Sequence, residues 1–414
     1  MALERPPARI PPFPEFVGLV ALMMGVTAYS IDNLLPSFPI IAREFRIDDP
    51  NEVQLLVYVY MIGFALLQLA YGPASDIVGR RPTLFVGLGL YAAGCALALV
   101  APSFELLLAG RFVQGMGAAA GRVLAIAIVR DCYVGREMAR VMSLTMMVFI
   151  TIPVLAPAIG GLILLAGSWH LIFASMLALA LVLAAWFAAR MPETLHPEYR
   201  FPFSAARIGE GLRLTVTTRA SIGYASGVGL VFGCIMAYVG SAQQIFETEV
   251  YGLGPLFPVA FGLIAAVMGV ASLLNSHLVR RLGMRRLSHA GMLGFLAASC
   301  AQLALALAYA GRPPLLLFGA VLAANQFLAS IALPNFNAMA MEPLGSVAGT
   351  GSSFIGFYTT LLGALLGLAV GQSFNGTVLP LAIGFVAFSA VCVAVVVWTE
   401  GGRLFRPHHP DPPR

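Results

Sequence analysis

Apolar runs of about 20 residues or more, each long enough to cross a hydrocarbon core of ~30 Å, recur about twelve times along this chain. They fall at 16–41, 53–74, 82–101, 103–130, 138–165, 168–190, 220–246, 255–280, 286–310, 313–340, 345–373 and 377–399. With 59% of residues hydrophobic and only 10% charged, no soluble core could hide so much apolar surface. The expectation is an all-α polytopic membrane protein. Its longest polar interval, 191–219, is rich in Pro, Arg and Glu and reads as a linker between two six-helix bundles, 16–190 and 220–399. Residues 1–15 and 400–414 are then short terminal segments.

Orientation follows from the basic residues, all 24 of which are Arg. With the N-terminus inside, Arg43, Arg46 and Arg312 lie outside, Arg111 and Arg122 lie within the membrane, and the other 19 are cytoplasmic. That bias obeys the positive-inside rule and puts both termini and the linker on the cytoplasmic face of a bacterial inner membrane. The net charge of +5 reflects topology, since no basic and aromatic module for nucleic acid is present. Met1 to Phe13 lacks the apolar stretch and cleavage site of a removable signal peptide. Cys95, Cys132, Cys234, Cys300 and Cys392 are odd in number and scattered, which points to neither a disulfide framework nor a metal site. The Pro- and His-containing tail Arg403–Arg414 reads as disordered rather than metal-binding. No cofactor is implied.

Between the second and third runs lies Gly72-Pro73-Ala74-Ser75-Asp76-Ile77-Val78-Gly79-Arg80-Arg81. An acid, a Gly-Pro pair and two arginines predict a tight loop at a membrane face. The stretch resembles the signature loop of the major facilitator superfamily, roughly Gly-x-x-x-Asp-x-x-Gly-Arg-Arg, with Gly72, Asp76, Gly79, Arg80 and Arg81 on the pattern. Residues 276–285 echo it at an offset of 204, with Gly283 matching Gly79 and Arg280 standing where Asp76 would be. Parallel six-helix repeats are what that resemblance implies.

Other segments are similar to one branch of the superfamily, the twelve-helix drug:proton antiporters, and within it the bicyclomycin-resistance-type exporters. Ser30-Ile31-Asp32-Asn33-Leu34-Leu35-Pro36 looks like its Ser-x-Asp-x-x-x-Pro segment, and Arg111-Phe112-Val113-Gln114-Gly115 its Arg-x-x-Gln-Gly motif. Arg130-Asp131, Glu193-Thr194-Leu195 and Ala348-Gly349-Thr350-Gly351-Ser352-Ser353 extend the match. The fifth helix carries the antiporter motif in eroded form: Pro157, Gly160 and Gly161 are present beside Pro153, but Ile152 and Ala156 replace the usual glycines. Two prolines one turn apart bend a helix and a Gly pair permits close approach, in service either of antiport or of simple packing.

Ionisable groups deep in a bilayer are costly and mark function. Only Asp32, Arg111 and Arg122 qualify. At ~1.5 Å per residue, Asp32 lies about 5 Å and Arg111 about 8 Å to the external side of the midplane, and Arg122 about 8 Å to the other side. The resemblance implies that helices one and four are neighbours, so Asp32 and Arg111 can approach. A facing guanidinium favours an ionised carboxyl and desolvation a protonated one, which suits Asp32 to carrying a proton and Arg111 to sensing it. The plainer alternative is a static ion pair. Arg122 either meets an anionic group of substrate or lipid, or snorkels to cytoplasmic water. By resemblance, Asp76 caps the start of helix eleven and pairs with Arg130 as a gate latch.

Polar or aromatic tips within apolar helices, at Tyr29, Tyr58, Gln114, Tyr238, Gln243, Asn325 and Gln326, are candidate substrate contacts or interhelical hydrogen-bond partners. Glu247 and Glu249 read as solvated, and no buried acid is evident in helices seven to twelve. His170, His277 and His289 look isolated, and there is no phosphate-binding Gly-x-x-x-x-Gly-Lys loop, so neither an enzyme nor an ATP-driven pump is indicated. The expected function is proton-coupled export of lipophilic drugs or other amphiphilic small molecules, by a monomer in contact with membrane lipid. An uncoupled facilitator, or an exporter of one metabolite, is the alternative.

Overall fold

The structure, a computed structural model, describes residues 10–196, 198 and 205–405. The first nine residues, most of the tail expected to be disordered, and residues 197 and 199–204 of the polar interval lie outside the described residues. The described residues form α-helices with short connecting turns and no strands. In chain order these are α1 (Phe13–Asp32), α2 (Phe38–Glu44), α3 (Leu55–Val78), α4 (Arg80–Leu99), α5 (Phe104–Cys132), α6 (Gly135–Ala166) and α7 (His170–Arg190). Then follow α8 (Ala205–Thr217), α9 (Arg219–Ala242), α10 (Phe257–Leu282), α11 (Met284–Ala308), α12 (Leu315–Met341), α13 (Ala348–Gly371) and α14 (Leu379–Thr399). Twelve helical segments are long and apolar enough to cross a membrane, six before α8 and six after it.

The first of the twelve, Phe13–Glu44, is broken. Pro36 has no N–H to give the carbonyl of Asp32, and Pro39 none for that of Leu35, so two helical bonds within one turn are missing. The chain crosses the gap through a single 3₁₀ turn, Leu35–Ser37, before α2 resumes. At the far end of the seventh span, α9 widens into a π-helical turn over Gln243–Thr248. Such turns are rare and concentrate at functional sites.

The signature stretch is not the ten-residue loop expected from its composition. α3 runs through Pro73 and Asp76 to Val78, α4 begins at Arg80, and Gly79 alone lies between them with φ of +118°. Helix persists there because the charges find tertiary partners rather than water. The echo in the second half is real in geometry: Gly283, φ +78°, is likewise the single residue between α10 and α11. The polar interval holds the amphipathic helix α8, which packs on α9 and α13, with Gly211 against Thr350.

Glycines set the closeness of α4 and α5. Gly87 of α4 meets the Ala120 methyl and the Gly117 carbonyl of α5, and Gly94 meets the Gln114 and Gly110 backbone. This contact holds α5, the carrier of Arg111 and Arg122, against the outer helices.

Candidate transport site

Asp32 is the last residue of α1 and sits at the helix break, 6% exposed. Broken helices at membrane depth leave backbone and side-chain groups free for ions and substrate. No described residue donates a hydrogen bond to Asp32 or forms an ion pair with it. Both side-chain atoms of neighbouring Asn33 are buried without partners. Across the molecule Tyr238 of α9 lies within electrostatic reach of Asp32, stacks on Phe261 of α10 at 5.6 Å between ring centroids, and keeps its hydroxyl buried and unpartnered.

Arg111 does not pair with Asp32, contrary to expectation. Its guanidinium is fully buried and turned toward α3: Nε donates to the Leu56 carbonyl at 2.9 Å, Nη1 to Gln114 Oε1 at 2.6 Å, and the group lies 4.3 Å from the Tyr60 ring centroid. Only Nη2 lacks a partner. Similar depth along two helices fixes height, not direction, and Leu56 and Tyr60 compete successfully for this guanidinium.

The candidate contacts separate into three groups. Tyr58 and Gln243 lie where the first six spans meet the last six: the Tyr58 hydroxyl donates to the Met236 carbonyl at 3.3 Å. Tyr29 hydrogen-bonds Ser175 at 2.9 Å on the wall of an apolar lateral cavity of about 420 Å³ between α1, α6 and α7. Gln114, Asn325 and Gln326 are enclosed in helix packing instead. Gln114 Nε2 reaches Cys95 and Met176, Asn325 bonds Gln302 and Ser299 of α11, and Gln326 approaches only Met268.

The seam between the two halves is polar at the end remote from Arg80. Gln54 donates to Gln244 and, at 3.1 Å, to the Gly371 carbonyl. Gln244 donates to Asn51 Oδ1 at 2.9 Å, and Asn51 in turn to the Phe374 carbonyl at 2.9 Å. Glu247, in the same π turn, is half-buried rather than fully solvated: its Oε2 is buried with no partner among the described residues, as is Gln243 Nε2. Glu249 is exposed. Gln372 donates to the Asn51 carbonyl at 2.8 Å. Sequence reasoning missed this seam because Asn51, Gln54, Gln244 and Gln372 sit near run ends, where polar residues are ordinary.

α6 closes the same end. Gly160 allows the approach to Asn33, whose backbone and side-chain oxygens a methyl there would strike, and Gly161 faces Pro258 of α10. Pro153 and Pro157 are inside α6, and Val154 abuts Gly262 of α10. Toward the arginine-rich end, α6 exposes Met147 and Val148.

At that arginine-rich end Asp76 pairs with Arg80, not with Arg130. Buried Arg80 also bonds Asp131 at 2.9 Å and Ser75 at 2.7 Å, while Arg130 is exposed and in no described ion pair. Asp76 lies beside Gly349, close to the start of α13, yet no side chain caps that helix. Arg80 outcompetes Arg130 because it is four residues from Asp76, brought back to it by the turn at Gly79. The cap that does form is on α4, whose first two N–H groups, of Arg80 and Arg81, donate to Glu193 at 2.9 and 3.0 Å. Arg81 adds bonds to the Met191 and Ala188 carbonyls. Glu193→Ala is expected to cost about 1–2 kcal/mol, read as a lowered thermal midpoint in detergent.

His289 is not isolated. It is fully buried, with Nε2 3.3 Å from Tyr224 Oη and Nδ1 accepting the Phe405 N–H at 3.1 Å, while Tyr224 donates to Glu400. Glu400 also pairs with Arg285 at 3.2 Å. The second half thus repeats the device of the first, an acid after its last helix engaging the turn between its second and third.

A broken first span facing the seventh across a seam, with arginine turns after the second span of each half, is the geometry of an alternating-access carrier. Residues 20–368 match the profile of the Major Facilitator Superfamily. The chain belongs to this superfamily. It is 31% identical over 363 residues to the uncharacterized MFS-type transporter YdgK of Bacillus subtilis, covering 85% of this chain and 88% of that one. It is 29% identical to the bicyclomycin resistance protein homolog of Haemophilus influenzae over 92% of this chain and 95% of the relative. Among solved structures, the D-xylose–proton symporter superposes with a TM-score of 0.71 at 14% identity, covering 93% of this chain and 96% of that chain. The human organic anion transporter MFSD10 gives 0.68 at 18%, covering 94% and 100%. Relatives named for bicyclomycin and multidrug resistance belong to the drug-efflux branch that the helix-one and helix-four segments resemble. The protein is a multi-pass membrane transporter, not an enzyme.

Proposed function

We propose that this superfamily member exports lipophilic, amphiphilic small molecules across the bacterial cytoplasmic membrane in exchange for protons. The arginine-rich end, with both termini and α8, is cytoplasmic, in keeping with the positive-inside rule. The unit of function is one chain of two six-helix bundles, 16–190 and 220–399, bathed in lipid.

The observation that carries this reading is Asp32. A carboxyl at a helix break, with no cationic partner and facing Tyr238 of the other half, is free to exchange a proton as the halves rock. Relatives named for drug resistance support the cargo class. Arg111 takes a different part from an ion-pair partner: pinned to Leu56, Gln114 and Tyr60, it supplies a fixed positive potential. Tyr58, Tyr238 and Gln243 line the path that opens when the seam parts, and Tyr29 faces lipophilic cargo from its lateral cavity. Gly72, Asp76, Gly79, Arg80 and Arg81 act with Asp131 and Glu193 as the cytoplasmic latch, and Pro153, Pro157, Gly160 and Gly161 shape the bend about which α6 moves.

Reconstitution in liposomes tests the coupling. An imposed pH gradient is expected to drive accumulation of a lipophilic dye against its own gradient. Counterflow indifferent to the gradient would instead establish an uncoupled facilitator.

A further inference from the structure

α5 is hemmed in on three sides: Gly121 packs on Met23 of α1, Gly115 on Tyr60 and Phe64 of α3, and Gly117 on Tyr91 of α4. One strip stays open, on which Arg122, Ile126 and Arg130 follow at one-turn intervals, all exposed. α3, which packs on α5, also leans on α13 of the other half, with Gln68 bonded to Thr360 at 3.2 Å and Gly72 against Ser353. The strip borders the space between the halves, where Arg122 is exposed although protein surrounds it.

Four other arginines of the spans are engaged. Arg80 holds two carboxylates, Arg111 two oxygens and a ring, Arg190 holds Glu15 at 2.6 Å, and Arg285 holds Glu400. Arg122, deep in a spanning helix, has no hydrogen bond or ion pair among the described residues. A guanidinium kept unpaired in a cavity with low-dielectric walls attracts anions, repels cations, and offers forked geometry matched to a carboxylate or sulfonate. It stands about 16 Å of helix rise from Arg111, on the arginine-rich side.

Resting on the export reading, we propose that the cargo is a lipophilic organic acid whose anionic headgroup docks on Arg122 from the arginine-rich end. Lipophilic cations meet a repulsive charge at the same point. An anionic lipid headgroup has the chemistry to occupy the site too, so the test must separate the two sources.

The probes are radiolabelled 4-phenylbenzoate, its neutral amide, and 4-phenylbenzylammonium, measured for binding to the full chain in phosphatidylcholine nanodiscs. Wild type is expected to prefer the carboxylate over the amide at least tenfold. Arg122→Gln should erase that preference and leave amide binding unchanged, which also reports an intact fold, and Arg122→Lys should restore most of it. Equal binding of carboxylate and amide by wild type, no saturable carboxylate binding, preference for the ammonium, or equal weakening of all probes by Arg122→Gln would each overturn the proposal. Adding phosphatidylglycerol distinguishes the sources: unchanged carboxylate affinity assigns the site to cargo, whereas displacement assigns it to lipid and overturns the proposal. Coupling is read separately. Ammonium or amide driven by a pH gradient leaves the export reading standing without this one, and carboxylate binding through Arg122 with no response to the gradient does the reverse.

Discussion

Asp32→Asn is expected to abolish pH-gradient-driven transport while leaving a folded, monodisperse protein. The substitution keeps the shape of the side chain and removes only its capacity to bind and release a proton. Because Asp32 has no ion-pair partner, no cation is stranded by the change; Arg111 keeps its bonds to Leu56 and Gln114. Loss of an unpaired buried carboxyl is stabilising if anything, so the thermal midpoint should hold or rise. Had Asp32 been locked to Arg111, the same change would have left a buried guanidinium unpaired at a cost of about 3–5 kcal/mol. Stability and transport measured on one preparation therefore discriminate: retained stability with lost coupling supports a proton carrier, while a drop in both points to a static structural pair. Substrate exchange in the absence of a gradient should survive in the variant, since that motion requires no net proton movement.

The difference between that outcome and the one the sequence suggests lies in azimuth. Counting residues along helices places Asp32 and Arg111 at similar height, and both do lie within the bundle. Which way each side chain points is decided by competing partners, and a pattern of residue types carries no information on whether Leu56 O or Asp32 receives a guanidinium. The twelve spans were legible because their signal is local: length and apolarity. Gly79 and Gly283 were legible for the same reason, since each fills a backbone conformation that other residues avoid. The helical course of Pro73 to Val78 was not, because it depends on Asp131 and Glu193, 51 and 113 residues beyond Arg80. Glu247 was misplaced through its π turn, which swings a residue at the end of an apolar run back against the protein. Local chemistry thus announced the machine and its punctuation, and long-range pairing set the electrostatics of its centre.

Gly117→Leu is expected to eliminate folded protein, and Gly117→Ala to lower the thermal midpoint more than an ordinary core overpacking of about 1–3 kcal/mol would. A Cβ at 117 lands on the backbone nitrogen of Tyr91, 2.5 Å from the Gly87 carbonyl oxygen and 2.7 Å from the Tyr91 Cα. These are atoms of α4 itself, so no rotamer change relieves the clash and the helices must part. Gly94 forbids that relief further along, since it meets the Gln114 backbone and the Gly110 carbonyl, so separation at one point breaks contacts at both. In lipid there is no water to drive the helices back together, and close packing is the main force lost. Gly89→Ala is the control: nothing lies within 4 Å of its added methyl, and better helix propensity should make the change neutral or slightly stabilising, by up to about 1 kcal/mol. Monodisperse yield and thermal midpoint in detergent read both variants. The position matters beyond stability, because Gly117 lies between Arg111 and Arg122 on α5. A version of Gly117→Ala that folds should therefore also shift the binding of acidic cargo, through the displaced helix, whereas Gly89→Ala should leave it unchanged.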